Sequence, residues 1–286
     1  MTPGLLAKLL PQRLRKAPPP RQLTSAKALD RPWRDDEADD DGAGGRMSFL
    51  EHLDELRQRL VASAISLAAG TVVAVFFIDR IFDFIMRPLF EKLPAGSQLI
   101  YTEPTEAFML KVKIALLSGL VIGAPLIMAQ LWLFIAPGLY AREKRFALPF
   151  IVSASVFFVA GAAFNHYVLF PLAWQFLAGF SNDYLMFMPR IAPVFSLYAM
   201  LLVAMGLVFE MPVVILVLAK MGIVTAGFLW RNIKYAVLVI FIAAAVITPT
   251  GDMVTQSLMA GPMVVLYVLS IGLAWIFGKR RRAPGD

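Results

Sequence analysis

The chain has 286 residues, 59% of them hydrophobic and 16% charged, at a mean hydropathy of +0.69, the balance of a protein that crosses a membrane several times. It has no cysteine and two histidines, which excludes disulfides, iron–sulfur clusters and thiol nucleophiles and leaves too few ligands for most metal sites. The net charge of +7 falls in the tails and in loops beside apolar stretches, so it reads as membrane topology rather than nucleic-acid binding.

Residues 1–46 hold Pro18-Pro19-Pro20, six lysines or arginines before Asp30, the acidic run Asp35 to Asp41, and Gly42-Ala43-Gly44-Gly45. Such a segment has too little apolar surface to offset the entropy of ordering, and a disordered extension is expected. Its apolar piece, Leu5 to Leu10, is shorter than a signal-peptide core and is followed by no small-residue cleavage site, which leaves a weak surface helix on anionic lipid as its structured form. Patterned sequence begins at Met47, which makes Met47 a candidate start; a native mass that includes residues 1–46 would exclude it.

From Met47 to Leu60 the spacing predicts a charged amphipathic helix that runs straight into the first span. Ser48 and Glu51 have the spacing of a capping box. Phe49, Leu53, Leu56 and Leu60 make one apolar stripe, with Glu51, Asp54, Glu55, Arg57 and Arg59 around the rest of the circumference. On spacing alone, Glu55 and Arg59 are an ordinary i,i+4 pair.

Six spans follow. Leu60 to Ile78 carries no charge and is long enough to cross. Asp79 to Ala107 is amphipathic at first, is expected to break at Pro88 and Pro94, and should lie along the outer interface. Phe108 to Phe134 forms span 2, with Lys111 and Lys113 snorkelling near its outer end and Trp132, Phe134, Pro137 and Tyr140 closing it as an aromatic belt and helix break. Span 3 runs from Phe146 to a stop at Pro171, and a second outer segment from Leu172 to Pro193. Span 4 covers Val194 to Leu218, span 5 the short stretch Tyr235 to Ile247, and span 6 Val254 to Phe277. The 13 residues of span 5 reach only about 20 Å as a helix, so it must thin the bilayer, recruit its flanks or sit against protein.

Six spans put both termini on one side. The loops and tail there carry Arg142, Lys144 and Arg145, then Lys220, Arg231 and Lys234, then Lys279 to Arg282; the other side has Arg80, Arg87 and Lys92 diluted by five acids, then Arg190. The positive-inside bias makes the termini cytoplasmic.

Few residues can carry chemistry. Glu210 lies inside a span, where a carboxylate costs about 2.5 kcal/mol or more, and Pro212 beside it frees a backbone carbonyl that could line a polar pocket. Gln256 follows Asp252 by one turn, a spacing that suits structural capping. Glu51-His52 lacks the second histidine of a helical metal motif, and no phosphate-binding Gly-x-x-x-x-Gly-Lys-Ser/Thr occurs. No cofactor and no catalytic residue is expected.

Three motifs agree in order and spacing: Glu51-His52-Leu53-x-Glu55-Leu56-Arg57-x-Arg59-Leu60, then Trp132-x-Phe134-Ile135-Ala136-Pro137-Gly138-Leu139-Tyr140-x-x-Glu143-x-Arg145, then Phe209-Glu210-x-Pro212. From Met47 to Phe277 the chain resembles the TatC family, the multispan receptor subunit of the twin-arginine protein translocase. The resemblance implies that Glu55 and Glu143 receive the paired arginines of a signal peptide, that Phe134, His52 and Arg57 shape that site, and that Pro88 is the family's outer-loop proline. It implies further that Glu210 is the intramembrane glutamate and that Thr248 and Gln256 lie where single-span TatA- and TatB-type subunits dock. Two departures stand out: residues 1–46 have no counterpart, and the turn Thr248 to Asp252 is one residue longer than the family's form.

The expectation is an all-α, six-span protein of the plasma membrane, with a disordered cytoplasmic extension (1–46), a membrane domain (47–278) and a basic cytoplasmic tail (279–286). It is not an enzyme; with TatA- and TatB-type partners, as a homo-oligomer in lipid, it exports folded precursors on the proton gradient. The alternative is a proton-coupled small-molecule transporter with Glu210 as relay.

Overall fold

The computed structural model describes residues 49–92, 97–135, 147–180, 187–248 and 251–278. The extension 1–46, Ser48 and the side chain of Glu51 (the expected capping pair), Pro94, the loop that holds Glu143, and the tail from Lys279 lie outside them. Among the described residues the secondary structure is helical, with one isolated bridge between Ile100 and Arg190.

Helix α1 (Phe49–Phe76) carries the charged turns and the first apolar stretch without a break, and α2 (Ile78–Glu91) follows directly. Next come α3 (Glu106–Ile135) and α4 (Ala147–Phe164), which passes through a π turn at Asn165–Leu169 into α5 (Phe170–Ala178). The last five are α6 (Ile191–Phe209), α7 (Met211–Met221), α8 (Ala226–Arg231), α9 (Ile233–Ile247) and α10 (Met253–Phe277). Among the described residues, five runs are long and apolar enough to cross a membrane: His52–Phe76, Glu106–Phe134, Leu148–Ala178, Ile191–Met221 and Met253–Phe277. The stretch expected as span 5 is a short apolar helix, α9, whose 15 residues reach about 22 Å, less than a hydrocarbon core of roughly 30 Å.

α1 and α3 run antiparallel with their backbones in contact. A Cβ on Gly70 would meet the Gly119 carbonyl, one on Gly119 would meet Thr71, and one on Gly123 would come within 3.0 Å of the Ser66 carbonyl oxygen. Small residues at such crossings let membrane helices approach until dispersion acts between backbones. The same register brings Arg59 to Gln130 and His52 to Phe134 at one end. A Gly119→Ala variant is expected to lose about 1–3 kcal/mol of stability to overpacking despite alanine's better helix propensity, read as a lower Tm of the purified protein.

Two prolines do not stop helices where the sequence suggests. α2 continues through Pro88 to Glu91 because Ile85, Met86 and Leu89 are buried in the core and the Trp174 Nε1–H donates to the Leu89 carbonyl at 3.2 Å. Tertiary packing outweighs the one backbone bond that proline removes. Trp174→Phe is expected to cost about 1 kcal/mol and to raise hydrogen exchange in α2. Pro171 likewise sits inside a helical run that extends to Ala178. The π turn before it, closed by the Phe170 N–H on the Asn165 carbonyl, widens the helix where the proline ring would strike the preceding turn. The predicted outer segment from Leu172 is therefore helical over its first seven residues, Leu172 to Ala178.

At the start of α3, Glu106 accepts from the Thr102 and Glu103 N–H groups at 2.9 and 3.4 Å and lies 3.6 Å from Arg190 Nη2. The Ile100 N–H donates to the Pro189 carbonyl and the Ile191 N–H to the Ile100 carbonyl, so segments 97–105 and 187–190 are joined edge to edge. Lys111, expected to snorkel, instead donates to Asp79 Oδ1 at 2.8 Å; the pair is exposed and adds little stability.

Candidate functional site

The helical repeat places His52, Glu55 and Arg59 on one face of α1, at spacings of three and four residues. That face meets the last turns of α3. The His52 and Phe134 rings stack at 4.7 Å with 17° between planes. Arg59 is held from two sides, by Glu55 Oε1 at 3.3 Å and by Gln130 Oε1 at 3.1 Å.

The Glu55 carboxylate is only half engaged. Its Oε2 is shielded from solvent and has no hydrogen-bond partner among the described residues, and the same holds for Arg59 Nε. A buried carboxylate oxygen without a donor is costly, and a planar guanidinium is the side chain whose geometry serves a carboxylate edge. The Glu55–Arg59 pair therefore leaves one carboxylate oxygen unused.

Arg57 does not join this cluster. Two positions on from Glu55 it is rotated by about 200°, exposed, beside Asp54 and Gln58 on the far face. Pro88 lies in α2, beyond the opposite end of α1. Glu143 lies outside the described residues. Sequence reasoning missed Gln130; the signal available was an amide one turn before Phe134 in an otherwise apolar stretch.

Glu210 sits at the junction where the fourth predicted span divides into α6 and α7, with Pro212 in the first turn of α7. It is 7% exposed, and Oε1 has no partner among the described residues. The expected break beside an acid is present, and the carboxylate lies in it.

Thr248 and Gln256 fasten the α9–α10 hairpin. The Thr248 hydroxyl donates to the Ala244 carbonyl at 2.7 Å and lies 3.7 Å from Met259 Sδ. Gln256 Nε2 donates across to the Phe241 carbonyl at 2.9 Å, so its side chain bridges two helices and does not cap one. Asp252 does cap: its Oδ1 accepts from the Thr255 N–H at 2.6 Å.

Comparison with known proteins sets this geometry in a family. Residues 51–262 match the family described as Sec-independent protein translocase protein (TatC). A TatC protein of Koribacter versatilis is 43% identical over 239 residues, covering 82% of this chain and 88% of the relative. One of Aquifex aeolicus is 36% identical over 238 residues, 82% and 98% of the two chains. A crystal structure of the twin-arginine translocase receptor TatC superposes with a TM-score of 0.69 at 37% identity, covering 78% of this chain and 98% of that one. Motifs, fold and overall similarity agree, and the chain belongs to the TatC family of Sec-independent protein translocase proteins.

Proposed function

We propose that this chain is the receptor subunit of a twin-arginine translocase and that Glu55, with Glu143, binds the arginine pair of a signal peptide. The observation that carries the reading is the half-engaged Glu55 carboxylate, with Oε2 shielded at the meeting of α1 and α3, in a chain of this family. An arginine of the peptide bonds Oε2 while Arg59 keeps Oε1, and Gln130 keeps Arg59 from swinging across to close the site. His52 and Phe134 form an aromatic wall beside it. Arg57, on the other face of α1, repels a second basic group and favours one orientation of the peptide.

In this reading α9 crosses as the fifth of six spans, both termini face the cytoplasm, and the membrane is the plasma membrane; the lysine and arginine bias supports the sidedness. The short α9 thins the bilayer locally, and Thr248 and Gln256 present the α9–α10 hairpin to TatA- and TatB-type single-span helices. Pro88, inside α2, is the family's outer proline. Several copies assemble in the working complex, which exports folded precursors on the proton gradient. Family membership favours this account over the proton-coupled transporter, for which the comparisons offer no support.

The test is the affinity of the full-length protein in nanodiscs for synthetic signal peptides that differ only in the paired residues. Arginine-pair peptides should bind about tenfold or more tighter than lysine-pair peptides, since charge-assisted bonds contribute about 1.5–3 kcal/mol each. Equal affinities would overturn the reading. Gln130→Leu should weaken arginine-pair binding about threefold, a modest loss because it frees Arg59 to compete for Glu55 without removing the carboxylate.

A further inference from the structure

The edge of α2 covers a cleft of about 360 Å³ between it and α3, α4 and α6, lined by Ile81, Phe84, Leu117, Ala163, His166 and Tyr198 among others. Two of its polar groups face each other: His166 Nδ1 lies 3.1 Å from the Tyr198 hydroxyl, and Phe84 stacks on the His166 ring at 4.1 Å. Ser118 and Tyr167 add hydroxyls to a lining that otherwise offers ring faces and methyl groups. Ile122, Val159 and Tyr167, at its mouth, are exposed residues of membrane-crossing runs, so access is sideways from hydrocarbon.

Phe84 also borders a second depression, of about 530 Å³, on the outward face of α2, where Arg80, Asp83, Arg87 and Glu91 alternate in sign. The helical repeat sets these four on one stripe, with Phe84 at its edge nearest Ile81 and the cleft. The stripe carries no net charge; within it Arg87 Nε donates to Glu91 Oε1 at 3.2 Å in an exposed pair that a headgroup can open.

We propose that the cleft and the stripe together form a binding site for one membrane phospholipid with a zwitterionic, amine-bearing headgroup. Part of an acyl chain lies in the cleft; the phosphate meets Arg80 and Arg87, and the ammonium meets Asp83 and Glu91. Neighbours one helical turn apart are about 5–6 Å from each other, a spacing that suits the short link between phosphate and amine. A stripe of zero net charge selects against a purely anionic headgroup. A partner helix fits worse: at about 10–12 Å across it is broader than a single acyl chain and would rest on the mouth of the cleft instead of entering it. This inference does not depend on the signal-peptide reading.

The full-length protein in phosphatidylethanolamine vesicles, with a trace of the same lipid carrying a diazirine near the end of one acyl chain, tests the site by photolabelling and peptide mapping. Labelling should concentrate on Val159 to Tyr167 and on Leu117 to Ile122. Ala163→Phe, which fills the cleft, should lower it about tenfold, equivalent to about 1.4 kcal/mol, with labelling elsewhere on the chain unchanged. Should that variant fail to fold, the exposed double substitution Arg80→Glu with Arg87→Glu decides: it should lower the same adducts severalfold. Labelling spread over all lipid-facing helices in proportion to their exposure and insensitive to these substitutions would overturn the proposal, as would cleft adducts formed only with a second copy of the chain or another protein.

Discussion

A Glu55→Gln variant is expected to bind an arginine-pair signal peptide about 10- to 100-fold more weakly than the native chain, with little change for a lysine-pair peptide. Glutamine keeps the size and one oxygen of the side chain but loses the charge and the second acceptor. In the structure one carboxylate oxygen is engaged by Arg59 at 3.3 Å and the other is buried with no partner among the described residues. The variant removes the charged edge that a guanidinium would satisfy and leaves Arg59 held by Gln130 and a neutral amide oxygen. Fold should be unaffected, because an i,i+4 pair of this kind contributes only about 0.3–0.5 kcal/mol. Isothermal titration in nanodiscs, paired with thermal unfolding, separates the two effects. An unchanged affinity in a folded variant would reduce Glu55 to a surface partner of Arg59.

Glu210→Leu is expected to stabilise the isolated chain and to abolish export. The carboxylate is buried at the α6–α7 junction with an unpartnered oxygen among the described residues, inside a run apolar enough to cross the membrane. Holding it there costs about 2.5 kcal/mol or more relative to an apolar residue, and leucine of similar length relieves about 2 kcal/mol of that, read as a higher Tm. A residue retained for function alone shows this opposition of stability and activity. Glu210→Gln should lie between the two. Export unchanged in Glu210→Leu would make the glutamate a tolerated packing defect; a lower Tm would show that the carboxylate holds α6 to α7.

Hydropathy and charge alone place the apolar runs, the continuity of the charged turns with the first of them, and the helix break at Glu210, because each is a property of neighbouring residues. Errors cluster where distant residues decide. Pro88 and Pro171 look like stops, but a Trp174 bond from another helix and a π turn accommodate them. Arg57 belongs to the same motif as Glu55 in the chain and to the opposite face in space. Gln130 has no motif; it reaches Arg59 because Gly70, Gly119 and Gly123 set the register of two helices far apart in sequence. Lys111 finds Asp79 for the same reason. The joining of Ile100 to Arg190 and the Glu106 cap are equally nonlocal.

The central claim is that paired arginines are read by carboxylates at the end of α1. Photocrosslinking tests it most directly: a signal peptide with its probe beside the arginine pair, added to membranes holding the full-length protein, with arginine-pair and lysine-pair peptides as competitors. The account predicts adducts near Glu55 and Glu143 that only the arginine peptide displaces and that Glu55→Gln or Glu143→Ala abolishes. Equal displacement by both peptides, or adducts that survive both substitutions, would contradict it.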